Sequence, residues 1–98
     1  MKAKYESMYI ITPTLSTEEV EKEQEKVLNL IAEQNGELIK TDNWGKKNLA
    51  YEINRHKEGY FFINYFNMDT QAVKALDRHY RLNERIIRHN ILKLEELD

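Results

Sequence analysis

An α+β fold is predicted for this 98-residue chain by three observations. Ser16 and Glu19 form a helix-opening signature ahead of apolar residues at helical spacing. Leu49, Tyr51 and Ile53 alternate with Asn48, Ala50 and Glu52, the period of a strand. Gly59 to Met68 then holds five of the ten aromatics, residues that suit a pleated surface.

Taken in order, Tyr5 to Ile11 reads as a short apolar strand closed by Pro13. Ser16 is the N-cap of a first helix, with Glu19 completing a capping box and Leu15 and Val20 forming a hydrophobic staple. Val20, Val27, Leu28 and Ile31 make its buried stripe. Asn35-Gly36 ends it, with glycine expected in the left-handed position after the last turn. Leu38 and Ile39 begin a second strand that resumes after Trp44-Gly45, so Gly45 marks a bulge inside one long strand. Asn54 to Gly59 reads as a polar hairpin loop leading into the aromatic strand. Asp69 is the expected cap of a second helix, with Met68 and Val73 as its staple and Val73, Leu76 and Tyr80 as its stripe. Arg85 to Leu94 is the last strand, and Glu95-Glu96-Leu97-Asp98 a frayed acidic tail.

This βαββαβ order is the split βαβ unit, or ferredoxin-like fold: a four-stranded antiparallel sheet with two helices on one face. In the aromatic strand, Tyr60, Phe62, Phe66 and Met68 share one face, while Phe61, Ile63 and Tyr65 share the other. The first set is expected under the helices, because Met68 then sits inward beside the start of the second helix. The second set is left on an open, apolar face, the mark of a partner's footprint. The fold itself hosts enzymes, metabolite sensors and RNA-binding modules, and decides none of these.

Residues 1–98 fit one domain of common size. There is no cysteine, so neither disulfides nor thiolate chemistry is available. No apolar run approaches the roughly 18 residues of a membrane span, and the first residues lack a signal peptide's apolar region. The reading is a soluble cytoplasmic protein. Its charge is segregated: residues 16 to 35 hold six Glu against Lys22 and Lys26, whereas residues 38 to 93 hold eleven Lys and Arg against six acids. Such segregation fits either ordinary solvated surfaces or a basic footprint for a polyanion, with the acidic helix turned away.

Catalytic chemistry is not visible. His56, His79 and His89 lack metal-ligand spacing, the three glycines are isolated turn residues, and Ser7 and Ser16 lie in no nucleophile motif. The carboxylates of the first helix read as a solvated face. No cofactor, metal or small-molecule substrate is indicated, and no membrane partner. The basic residues are more informative, falling in pairs at strand ends and loops beside aromatic strands; clustered cations bind phosphates jointly, and aromatic faces stack on unpaired bases. Gly59 to Tyr65 approximates an RNA-recognition-motif signature, but Phe61 stands where that motif needs Gly or Ala.

Four segments in order carry a resemblance: Tyr5-Glu6 with Pro13; Trp44-Gly45-Lys46-Lys47-Asn48-Leu49-Ala50-Tyr51-Glu52-Ile53; Lys57-Glu58-Gly59-Tyr60-Phe61; and Leu82-Asn83-Glu84-Arg85-Ile86-Ile87-Arg88. Together they resemble the bacterial ribosomal protein S-six family, a component of the small (30S) ribosomal subunit. The resemblance implies a non-catalytic, ferredoxin-like protein that pairs with ribosomal protein S-eighteen and binds the central domain of small-subunit ribosomal RNA. On this chain it implies RNA contacts at Lys2, Lys4, Lys46, Lys47, Arg55, Lys57, Arg85, Arg88 and Lys93. The partner contact is implied at Phe61, Ile63 and Tyr65 and along the last strand. Some family members extend further with acidic residues, whereas this sequence stops at Asp98, which argues against modification of such a tail. His89 and Asn90 make the last strand more polar than expected. Two rivals stand beside this reading: a small ferredoxin-like metabolite-binding or enzymatic dimer, which requires converging polar groups in a pocket, and a free RNA-recognition-motif-like protein.

Overall fold

A computed structural model describes residues 1–97. Its elements are β1 (Lys2–Ile11), α1 (Thr17–Glu33), β2 (Glu37–Ile53), β3 (His56–Asp69), α2 (Val73–Leu82) and β4 (Ile86–Glu96). The strands form one sheet in the order β2-β3-β1-β4, with every neighbouring pair antiparallel. This is the expected split βαβ topology.

The first helix begins as its sequence requires. The Glu19 amide donates to Ser16 Oγ at 3.2 Å and the Ser16 amide donates to Glu19 Oε1 at 3.1 Å, satisfying two amides that the helix cannot pair itself. Both groups hold the Glu19 carboxyl below its ordinary range, with the Ser16 backbone bond the largest cause. At the other end the expectation needs correction. Asn35, not Gly36, takes the left-handed conformation, with φ +60°. The Gly36 amide donates to Ile31 O at 2.8 Å and the Asn35 amide to Ala32 O at 3.0 Å, the pairing of a Schellman stop. Glycine serves here by its size, since a Cβ on Gly36 would lie 2.8 Å from Ile31 and 2.9 Å from Met68.

Four further expectations are revised. Asp69 does not cap α2; its side chain accepts from the Gln71 amide at 2.8 Å and its carbonyl from Ala72 at 2.9 Å. It therefore builds a turn one step earlier, and Ala72 opens the helix without a side-chain cap. The loop expected over 54–59 shrinks to Asn54-Arg55, both at positive φ, and β3 already starts at His56. Two such residues suit the right-handed twist of a hairpin, so the strands run up to the turn. The stripe of α1 is Val20, Glu23, Val27 and Ile31, with Leu28 only half-buried. Finally, Glu95 and Glu96 are not frayed: they pair with Lys4 and Ala3, and the Leu97 amide donates to Lys2 O. Asp98 lies outside the described residues.

The core forms between the helices and one sheet face. Tyr5, Tyr9, Ile11, Phe62, Phe66 and Met68 meet Val27, Ile31, Leu76 and Tyr80, all buried. Tyr9 stacks on both Phe62 and Tyr80. Ser7 and Tyr80 hydroxyls share a 2.5 Å hydrogen bond across the sheet and α2, which lets a phenol lie fully inside. Asn64, also on this face, accepts from Thr41 Oγ1 at 2.9 Å.

Two predictions follow from this packing. Ser16→Ala, which removes the cap, should lower unfolding free energy by about 1 kcal/mol in urea titrations. Phe66→Ala should cost about 3–5 kcal/mol, and Phe61→Ser, on the other face, should cost well below that. Reversed costs would place the wrong set of β3 side chains under the helices.

Candidate nucleic-acid and partner interface

Ile11 is the last β1 residue paired to β3, opposite Tyr60. Beyond it, β3 pairs only with β2, so residues 47–59 form a two-stranded arm that continues past the β1–β3 ladder, with Leu49, Tyr51 and Ile53 turned back toward Met8 and Ile10 on the open face. The arm departs at a bulge. The register steps from Asn43 opposite Phe62 to Gly45 opposite Phe61, Gly45 has φ +71°, and its amide donates to Asn43 Oδ1 at 2.9 Å. The single long strand expected with a bulge at Gly45 is thus observed, and the bulge supplies extra twist where the arm leaves the sheet.

The arm and its base gather four of the nine candidate cations, all exposed: Lys46 at the base, opposite Tyr60, and Lys47, Arg55 and Lys57 beyond it. Lys46 lies 3.7 Å from Glu58 and its ammonium sits over the Tyr60 ring at 5.6 Å. Lys47, Arg55 and Lys57 have no ion pair among the described residues. Arg88 reaches the arm from β4; it donates to the Tyr51 hydroxyl and lies over the Tyr51 ring.

The other four candidates lie elsewhere. Lys4 is half-buried on the open face, opposite Asn67 and Glu95, and Lys2 lies 3.2 Å from Glu37. Lys93 is opposite Tyr5, on the helix side of the sheet, and binds Glu96 at 2.7 Å. Arg85 also faces the helices, 3.2 Å from Glu23 and 3.7 Å from Glu19. The structure therefore places 46, 47, 55 and 57 on one hairpin, which Arg88 touches at Tyr51, and engages 85 and 93 with carboxylates on the helix side.

Arg85 belongs to an arrangement that contradicts the solvated reading of α1. Glu23 is fully buried. Its carboxylate accepts from Asn83 Nδ2 at 2.8 Å, from Lys26 Nζ at 2.9 Å and from Arg85 Nη1 at 3.2 Å. Burial alone raises its pKa, but these donors outweigh it and hold the carboxyl below its ordinary range. The residue ties α1 to the α2–β4 turn. Its place between Val20 and Val27 on the buried stripe was the available signal, masked by its charge.

The open face carries Phe61, Ile63 and Tyr65, each half-buried, as expected. The cross-strand register sets Ile10 against Phe61, Met8 against Ile63 and Glu6 against Tyr65. Glu6 accepts from Tyr65 and raises its phenol. Met8 and Ile10, not singled out from sequence, extend the apolar patch, and the alternation of β1 with its helix-facing tyrosines places them there. With Leu49 and Ile53 of the arm, Phe61 and Arg88 they line a shallow hollow of about 230 Å³. Leu92 of β4, 45% exposed, lies beside Glu6 on the same face. His89 is turned to the helix side instead, binding Asp77 at 3.0 Å against the Tyr80 ring, which accounts for part of the polarity of β4. Among the described residues no group of three or more His, Asp or Glu is placed to hold a metal ion.

Fold and surface define an α+β protein of the ferredoxin-like class, with a cationic arm beside an apolar sheet face. Residues 4–93 match the family model for ribosomal protein S6. The chain is 40% identical over 92 residues to small ribosomal subunit protein bS6 of Thermoanaerobacter pseudethanolicus, covering 94% of this chain and 97% of that one. It is 41% identical over 93 residues to the protein of the same name from Clostridium acetobutylicum, covering 95% and 98%. The crystal structure of 30S ribosomal protein S6 from Thermotoga maritima superposes with a TM-score of 0.92 at 35% identity, over 96% of this chain and 89% of that one. The chain belongs to the ribosomal protein S6 family. Its relatives are ribosomal proteins, not enzymes.

The buried carboxylate yields a pH prediction. A depressed native pKa means that the stabilisation is present above the unfolded value of 4.5 and is lost as pH falls through the lower native value. Glu23→Gln should therefore flatten the acid limb of stability against pH. At neutral pH it should cost about 1.5–3 kcal/mol. An unchanged acid limb, measured by urea unfolding across pH, would remove Glu23 from this role.

Proposed function

We propose that residues 1–98 act as one domain that holds small-subunit ribosomal RNA of the central domain together with ribosomal protein S-eighteen, as a structural component of the cytoplasmic ribosome. The observation that carries the RNA part is the arm, which holds Lys47, Arg55 and Lys57 beyond the β1–β3 ladder with Lys46 at its base and Arg88 against its Tyr51. Phosphates are bound through the joint release of counterions, so cations held on one projecting ribbon suit a polyanion better than cations spread over the surface. Arg85 and Lys93 contribute least, being engaged with carboxylates on the helix side. Lys2 and Lys4 lie at the far end of the sheet, where β1 begins.

The open face supports the partner reading. Phe61, Ile63 and Tyr65 join Met8, Ile10 and Leu92 in a patch with few charges, bordered by Glu6, Lys40 and Asp42. Such a patch with a polar rim is the make-up of a protein–protein interface.

Sedimentation of the tagged chain with small ribosomal subunits from native cells tests the whole reading, and a free pool carrying a metabolite would overturn it. Binding to small-subunit ribosomal RNA, with S-eighteen present, should weaken with salt. Lys46→Ala with Lys47→Ala should lower affinity and reduce the salt slope by about two units, roughly one per phosphate contact. Glu21→Lys with Glu25→Lys, on the exposed side of α1, should do far less harm. Equal losses from the two pairs would move the footprint to the helices.

A further inference from the structure

We propose that Trp44 is a stacking platform for an unpaired RNA base, an inference that rests on the RNA reading above and adds a contact to it. Trp44 is the single tryptophan of the chain and is 55% exposed, although it lies inside a strand. The backbone explains the exposure. At the bulge the ladder passes from Asn43 to Gly45, leaving Trp44 without an opposite residue, and β2 is the outer strand of the sheet.

The neighbouring tyrosines are already occupied. A cation lies over each of three rings: Lys40 over Tyr65, Lys46 over Tyr60 and Arg88 over Tyr51. No ring or cation packs on Trp44 among the described residues. An indole offers a large flat apolar surface on which a base can stack.

The surroundings select the occupant. Trp44 is flanked by Asn43 and Gly45, and Lys46 and Lys47 follow at once, both exposed. A protein anchor would need an apolar pocket around the indole, and the apolar patch of this molecule lies on the open face, centred on β1 and β3. An unpaired nucleotide needs what is present: a ring for the base and neighbouring ammonium groups for its phosphates. A paired base offers no free face, so the contact is to single-stranded or junction RNA. Gly45 keeps the approach clear, since a Cβ there would find no atom within 4 Å.

The single tryptophan reports on itself. Indole fluorescence of the full chain is titrated with oligouridylate, with a duplex RNA of the same length, and with small-subunit ribosomal RNA before and after S-eighteen is added. Quenching by oligouridylate and ribosomal RNA, with little by the duplex, is expected. Trp44→Ala should weaken ribosomal RNA binding by about 5- to 150-fold, the range for losing one stacked base, while leaving the salt slope unchanged. Trp44→Phe should restore most of the loss. The Lys46 and Lys47 double variant should show the opposite signature, a flatter slope with quenching retained at low salt. Wild-type affinity and slope in Trp44→Ala, with an unquenched indole in the native chain, would overturn the stacking contact and leave the RNA reading standing. An indole that responds to S-eighteen and not to RNA would also overturn it and assign Trp44 to the protein partner. Absence of any RNA binding by the native chain would overturn both.

Discussion

The pleat of β3, held in register by hydrogen bonds to β1 on one side and β2 on the other, is the constraint on which the rest of this structure depends. Side chains of a strand alternate, so a fixed register commits Phe62, Asn64, Phe66 and Met68 to the helices and Phe61, Ile63 and Tyr65 to the opposite surface. Both sets are apolar enough to form a core. The inner set is chosen because Tyr5, Tyr9 and Ile11 of β1 join it, whereas the outer set meets Glu6, Met8 and Ile10. The core and the proposed interface are thus two sides of one decision, and a slip of one residue would exchange them.

The helices are secured to that sheet by different means. Apolar burial supplies most of the attachment, through Val27, Ile31, Leu76 and Tyr80. Orientation is fixed by polar contacts that cannot slide: the Ser7–Tyr80 pair locks α2 to β1, and Glu23 links α1 to Asn83 and Arg85. A buried carboxylate is costly to desolvate and is retained only with several donors around it. Glu23 has three, and its contribution is to specify where the α2–β4 turn sits.

The order of elements, the capping box at Ser16 and the bulge at Gly45 were legible because each depends on local chemistry: a side-chain oxygen three residues from an amide, a glycine at positive φ. The two faces of β3 were legible from alternation. What sequence misread depends on contacts between distant segments. Glu23 looked solvated because its donors Asn83 and Arg85 lie some sixty residues away. The engagement of Arg85 with Glu19 and Glu23 was hidden for the same reason. Asp69 has the residue type of a cap, and only the backbone path shows that it closes a turn first. The hairpin was read as a long polar loop, since Arg55 is an unusual residue at positive φ and hides the two-residue turn. For the candidate site, the grouping of Lys46, Lys47, Arg55 and Lys57 on one hairpin was legible from their nearness in sequence, whereas the carboxylates that engage Arg85 and Lys93 required the strand register and the helix positions.

The position of β1 in the sheet has a consequence for how the chain comes into being. It precedes both of its neighbours, β3 and β4, in the chain, and β4 comes last among the described elements. A nascent chain that has completed only α1 and the arm holds an apolar first strand with no hydrogen-bonding neighbour in place. Long-range pairings of this kind form slowly, because a large loop must close before any contact rewards it. Both β3 and β4 must therefore be made before this strand is enclosed, and until then Tyr5 to Ile11 is an apolar segment open to wrong association on the ribosome that is making it.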